Sequence, residues 1–429
     1  MIVAWLTMAL GLMAFVLVLH ALRPLRSPSP LQVGALFASW VIIELPLHIL
    51  AFVAVQVAVC LHFGGLGAWP GWIGLAGFLG AALGLLYLTR RLFAVARVVD
   101  EALDKLPPTA PPAHPYHWAR LWVPTSQYQP AVVTELHIPY TDSGRRRHRL
   151  DIYRPKALSA AAPVVLQLHG GGWMIGHKRQ QGRPLLTHLA ANGFVCVAAN
   201  YRLSPKATFP DHIIDVKRAV AWVRAHIGAY GGDPRFIAIT GGSAGAHLAA
   251  LAALTPNYAP WQPGFEDADT RVQACVPIYG VYDFTNRGGF FPKNSLEHVL
   301  RRLIIKRGLH SARPVYEAAS PLYRLNAEAP PFFAAHGAQD TLAPVEQCRE
   351  FIDALRAISP APAYRLELPC AQHAFDVFPS VRVKAVLEGV RRFLKATASA
   401  GLGEERAGGE LGTSDAGIGV HHEADRDRL

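Results

Sequence analysis

Charge is almost absent from the first part of this chain. Before Arg90 the charged side chains are Arg23, Arg26 and Glu44, whereas the full 429 residues hold 42 Lys and Arg and 31 Asp and Glu. A solvated domain needs a charged surface, so the opening stretch is expected to lie in a bilayer and the charged remainder to fold in water. A purely soluble protein and a protein that is membrane throughout are both excluded. Residues 2–22 carry no formal charge, and about 21 residues are enough to cross a hydrocarbon core of about 30 Å as a helix. They lack a basic leader and a small-residue cleavage site, so a span is read here rather than a removable signal. A second apolar stretch, 31–62, is interrupted by Glu44, Pro46 and His48 and reads as one long kinked span. The third, 71–88, is rich in Gly and Leu and stops at Arg90 and Arg91.

Arginines resist translocation and so mark cytoplasmic ends. Arg23 and Arg26 between the first two spans, with Arg90, Arg91 and Arg97 after the third, predict a multi-pass protein with its N-terminus outside and its large domain in the cytoplasm. A two-span reading would put that domain outside. Glu44 is either a functional intramembrane carboxylate or one satisfied by a neighbouring helix. The net charge of +11 invites a nucleic-acid reading, but no basic run interleaved with aromatics supports it. No nucleic-acid partner is expected, and attraction to anionic lipid accounts for the excess. Cys60, Cys196, Cys275, Cys348 and Cys370 show no CxxC spacing, which argues against a zinc site or a disulfide framework. Cys196 and Cys275 lie in apolar runs and read as buried thiols.

From 98 to 130 the chain is Pro-rich and reads as a short amphipathic exit helix followed by a stiff linker. Beyond it, strand-length apolar runs at 131–139, 148–153, 163–168, 194–199, 236–240, 272–278, 331–335 and 364–368 alternate with helix-length segments at 182–191, 210–228, 243–253, 345–358 and 380–395. Such alternation predicts an α/β fold, a doubly wound, mostly parallel sheet covered on both faces. Residues after 398 are rich in Gly and charge and are expected to be disordered. The expected organisation is a transmembrane region at 1–97, a linker at 98–130, a catalytic domain at 131–398 and a tail at 399–429. The segment 288–322 has no sheet counterpart and reads as a helical cap. Its basic, amphipathic stretch from His298 to Lys306 either packs on the domain or lies against the bilayer.

In a sheet of this kind functional groups gather at the carboxyl ends of the strands, and three features fall there. Gly241-Gly242-Ser243-Ala244-Gly245 follows one strand and opens an Ala/Leu helix; a sharp turn leaves no room for side chains beside the serine, whose hydroxyl is then presented above the sheet. His169-Gly170-Gly171-Gly172-Trp173 ends another strand, and its glycine backbone can aim amides at an oxyanion. Gly171, Gly172 and the amide of Ala244 are the expected donors. A phosphate loop would want Lys followed by Ser or Thr at a helix start, and none is present. Third, Asp340 and His373 follow two further strands. A serine hydroxyl is a poor nucleophile until an imidazole takes its proton, and that imidazole needs a carboxylate to fix its tautomer. Ser243, Asp340 and His373 are therefore the candidate catalytic residues, with His169, Gly170, Trp173, Gly241 and Gly245 in support. His247 is a competing base, and His336 and Asp376 are rivals expected to support the loops.

These motifs, with Tyr201-Arg202-Leu203-Ser204-Pro205, Phe209-Pro210 and Tyr230-Gly231-Gly232-Asp233-Pro234 between them, resemble the hormone-sensitive-lipase group of α/β-hydrolase esterases over about residues 131–394. Many members carry Asp at the position of Gly242 and a second Gly at that of Ala246. With Trp173 and Ala246-His247-Leu248, the pattern is also similar to arylformamidase-type and feruloyl-esterase-type relatives. The resemblance implies carboxylic-ester hydrolysis with a serine nucleophile at Ser243, an acid at Asp340, a base at His373 and no metal; the leading expectation is turnover of short or medium acyl esters through an acyl-enzyme, with no cofactor. The expected partners are an ester substrate, with lipid one candidate, and, from the apolar opening stretch, the membrane bilayer. Amide or formamide hydrolysis by the same triad stays open, as does an inactive, membrane-anchored interaction protein.

Overall fold

Runs such as Val164 to Leu168, apolar at nearly every position, can be buried on both faces only inside a parallel sheet. The computed structural model describes residues 1–24, 31–115, 129–158, 160–292 and 295–411, and it places that run at the centre of an eight-stranded sheet. The strands are β1 Val132–Pro139, β2 Arg149–Pro155, β3 Ala162–Leu168, β4 Val195–Ala199, β5 Gly232–Gly242, β6 Ala274–Ile278, β7 Phe332–Gly337 and β8 Ala363–Leu368. Their spatial order is β1-β2-β4-β3-β5-β6-β7-β8. β1 and β2 pair antiparallel, β2 meets β4 antiparallel, and every later neighbour is parallel. All eight expected strands are present, with ends shifted by a few residues.

Two apolar layers cover the sheet. On one face lie Ile213 and Val216 of Asp211–His226, Leu248 of Ala244–Leu254 and Phe351 of Val345–Ile358. On the other lie Leu186 and Leu189 of Arg183–Ala191 and Val390 and Phe393 of the last helix, Val381–Leu411. That last helix runs past 398, where disorder was expected; residues 412–429 lie outside the described residues. The cap stretch is packed on the domain. Leu300 and Ile304 are buried in the first layer, the Ile304 carbonyl accepts the Phe209 N–H at 2.9 Å, and Arg301 and Arg302 face outward.

The apolar opening forms helices α1 Ile2–Leu22, α2 Leu31–Glu44, α3 Pro46–His62 and α4 Trp69–Phe93. By length and composition Ile2–Leu22 and Trp69–Ala102 could each cross a membrane. α2 and α3 bend by 96° where Pro46 opens the second, so the expected kink is close to a right angle. α1 and α4 run side by side in the same direction. Gly74 lies on Thr7, Gly77 on Gly11 and Gly84 on Val18, so closely that a Cβ on Gly77 would come 2.6 Å from the Gly11 carbonyl. Small residues along one stripe allow this approach. Next comes the expected short exit helix, α5 Val95–Ala102, and it packs on the α/β domain. Val95, Val99 and Leu103 are buried in the second core layer beside Val386 and Leu387, because an apolar stripe on so short a helix is stable only when covered. The rest of the expected linker lies partly outside the described residues, at 116–128, as does Arg26.

Candidate active site

β5 ends in two glycines, the chain turns at Ser243, and Ala244 begins a helix. Ser243 sits at φ 56°, ψ −121°, a conformation costly for a residue with a side chain and held by its surroundings. Its N–H donates to the Ile278 carbonyl at 3.0 Å. A Cβ on Gly241 would come 2.5 Å from Gly245, and one on Gly245 would strike the Leu168 carbonyl, so only glycine fits on either side. At Gly242 the neighbouring space is taken by the Tyr279 hydroxyl, 2.5 Å from where a Cβ would stand.

The structure brings the three candidate residues together. His373 Nε2 lies 2.8 Å from Ser243 Oγ, and His373 Nδ1 lies 2.7 Å from Asp340 Oδ2. Asp340 is fully buried, and its other oxygen accepts the N–H groups of Leu342 and Ala343 at 2.9 and 2.8 Å. Burial opposes its ionisation, but His373 and His336 together outweigh burial and hold the carboxyl well below the usual range. His336 donates from Nε2 to the Ala343 carbonyl at 2.8 Å and lies 3.3 Å from Asp340, so it braces the acid loop as expected.

Among the described residues the amides of Gly171, Gly172 and Ala244 donate to no protein acceptor. Gly171 and Gly172 have φ of 109° and 59°, backbone that glycine adopts at little cost. Their loop is fixed from behind. Gln181 Oε1 accepts the Gly170 N–H at 2.7 Å, Arg147 Nη1 donates to the Gly176 carbonyl at 2.7 Å, and His169 stacks on Tyr201 at 4.4 Å. Trp173 donates from Nε1 to His247 Nδ1 at 3.2 Å, so His247 carries its proton on Nε2 and gives it to the Ala319 carbonyl at 2.7 Å. Burial pushes His247 down to about 3. Both its nitrogens are occupied in the core, and it is no base for Ser243.

Several contributors carry no local signal. Gln372 Oε1 accepts from the N–H groups of Thr341 and His373, tying the acid and base loops to each other. Tyr279, whose ring lies 4.8 Å from His373, donates its hydroxyl to Asp376, and burial raises that carboxyl above its ordinary range. Asp376 therefore supports the loop, as expected. A tyrosine after β6 and a glutamine beside His373 could be suspected from position alone; Gln181 and Arg147 could not.

Residues 150–355 match the BD-FAE family model. The chain is 53% identical over 259 residues to the probable carboxylic ester hydrolase LipM of Mycobacterium tuberculosis, covering 60% of each chain. It is 49% identical over 262 residues to esterase LipQ of the same organism, covering 60% of this chain and 61% of that one. Over residues 150–355 the chain is similar to carboxylic ester hydrolases of the hormone-sensitive-lipase-like group of α/β-hydrolases. The chain spans about three fifths of the length of those curated relatives. Among solved structures, the chain superposes on Thermogutta terrifontis esterase 2 phosphonylated by sarin with a TM-score of 0.53 and 25% identity, covering 62% of this chain and 94% of that one.

Proposed function

We propose that the protein is a membrane-anchored serine carboxylic ester hydrolase acting on esters of short or medium acyl chains. The observation that carries this reading is the unbroken hydrogen-bonded line from Ser243 Oγ through His373 to Asp340. Ser243 Oγ attacks the ester carbonyl while His373 Nε2 takes its proton, and Asp340 holds the proton on Nδ1 and stabilises the imidazolium. The amides of Gly171, Gly172 and Ala244 receive the oxyanion. Collapse of the tetrahedral intermediate transfers the proton from His373 to the leaving alkoxide and leaves an acyl-enzyme. Water, deprotonated by the same imidazole, then releases the acid. The names of the relatives, carboxylic ester hydrolase and esterase, support this class, and a phosphonylated esterase 2 is consistent with a reactive nucleophile on this scaffold. The complete hydrogen-bonded line weighs against an inactive interaction protein.

The anchoring reading rests on three crossings by α1, α3 and α4, with the large domain in the cytoplasm. Its support is the shared direction of α1 and α4, which requires a return between them, and the position of Arg23, Arg90 and Arg91 at matching ends. The catalytic reading is tested by turnover of p-nitrophenyl butyrate by the full chain. Ser243→Ala should lower kcat by about 10⁴-fold or more, and activity surviving that change would overturn the reading.

A further inference from the structure

The loop 369–380 between β8 and the last helix has neither strand nor helix, yet it carries His373. Ala374, the next residue, sits at φ 57°, in the left-handed region that a Cβ disfavours, so its conformation is held by contacts. One of those contacts comes from the apolar helices. Trp40 Nε1 on α2 donates to the Ala374 carbonyl at 3.0 Å across 334 residues of sequence, and its ring lies 4.5 Å from that of Phe378. At the end of the same helix Glu44 accepts the Ser380 hydroxyl at 2.9 Å and lies 3.4 Å from Arg382 Nε, with Glu44 and Arg382 almost wholly buried. Ser380 in turn caps the last helix by accepting the Val383 N–H at 3.2 Å. The neighbouring acid loop is held as well, since Gln339, one residue before Asp340, donates from Nε2 to the Leu22 carbonyl of α1 at 2.8 Å.

We propose that Trp40 and Glu44 are positioning residues for acyl transfer, which makes the apolar helices part of the active-site scaffold as well as an anchor. The proposal rests on the serine-hydrolase reading above. α2 fixes the backbone on both sides of Phe375 to Pro379, so the imidazole before it keeps Nε2 on Ser243. Removing the indole N–H leaves the Ala374 carbonyl only its longer turn bond from the Val377 N–H at 3.3 Å, a contact within the loop that does not tie the left-handed alanine to the rest of the molecule. A displacement of about 1 Å at a reacting group costs up to about 100-fold in rate.

The test uses the full chain in detergent. Trp40→Phe keeps a ring against Phe378 and removes only the N–H, so the bundle should stay folded. We expect kcat for p-nitrophenyl butyrate to fall about 10-fold with KM within about twofold, since base placement is disturbed but substrate binding is not. Amide exchange over 371–378 should speed up while the sheet stays protected, and Glu44→Gln should act in the same direction. Phe52→Leu, an exposed change on α3, should leave kcat unaltered. A Trp40→Phe enzyme with wild-type kcat and wild-type exchange would overturn the proposal. So would a loss of activity accompanied by faster exchange throughout the sheet, because the role would then be general stability. Ser243→Ala in the same assay separates the two readings: residual turnover in that variant overturns the serine mechanism, whereas its loss beside a fully active Trp40→Phe overturns the positioning role alone.

Discussion

Asp340 has two neighbours that could compete for it, and their geometry assigns the roles. His373 meets it at 2.7 Å and reaches Ser243, whereas His336 meets it at 3.3 Å and spends its proton on a backbone carbonyl. Asp340→Asn should keep the fold but favour the wrong imidazole tautomer, lowering kcat by about 10⁴-fold with little change in KM, as steady-state kinetics would read. Three buried histidines give a pH signature of stability. Burial pushes His247 down to about 3 and His169 and His212 to about 4. In the unfolded chain each protonates near pH 6.5, so between that value and its folded value the unfolded state holds more protons and stability falls as pH falls. The Tm should therefore drop progressively below about pH 6.5, and His247→Gln should make the drop shallower. A Tm independent of pH from 7 to about 4 would contradict this.

At the scale of elements, the strands and the serine turn were readable because their signals are local. A buried parallel strand is a short apolar run, and a nucleophile on a strand-to-helix turn needs glycine on both sides, as at Gly241 and Gly245. The contacts that complete the site were not readable in the same way. Trp40 to Ala374 and Gln339 to Leu22 join residues 334 and 317 apart, and nothing in the residues around Trp40 marks an indole that reaches the His373 loop. The burial of α5 was hidden for a related reason: a Pro-rich neighbourhood reads as linker until the partner surface on the last helix is known. The pairing of α1 with α4 shows its basis once seen, a stripe of glycines at 74, 77 and 84. Gly77→Leu should overpack that seam and cost about 1–3 kcal/mol, seen as a lower Tm in detergent, whereas an equal Tm would contradict the close approach.

The whole molecule combines a charge-poor helical unit with a charged α/β domain whose Asp340 and His373 loops rest on that unit. Its orientation can be read by labelling intact cells. Under the proposed topology, a cysteine introduced by Gly67→Cys, between α3 and α4, should react with an impermeant maleimide from outside. One introduced by Asp142→Cys should react only after permeabilisation, and the reverse pattern would place the hydrolase outside. The central claim is that Ser243 is an activated nucleophile in a working site. Treating the full-length protein with a fluorophosphonate and mapping the adduct by mass spectrometry tests it most directly. The account predicts one adduct, on Ser243, absent in Ser243→Ala and greatly slowed in His373→Ala. A folded protein that takes up no probe, or takes it up on another residue, would contradict it.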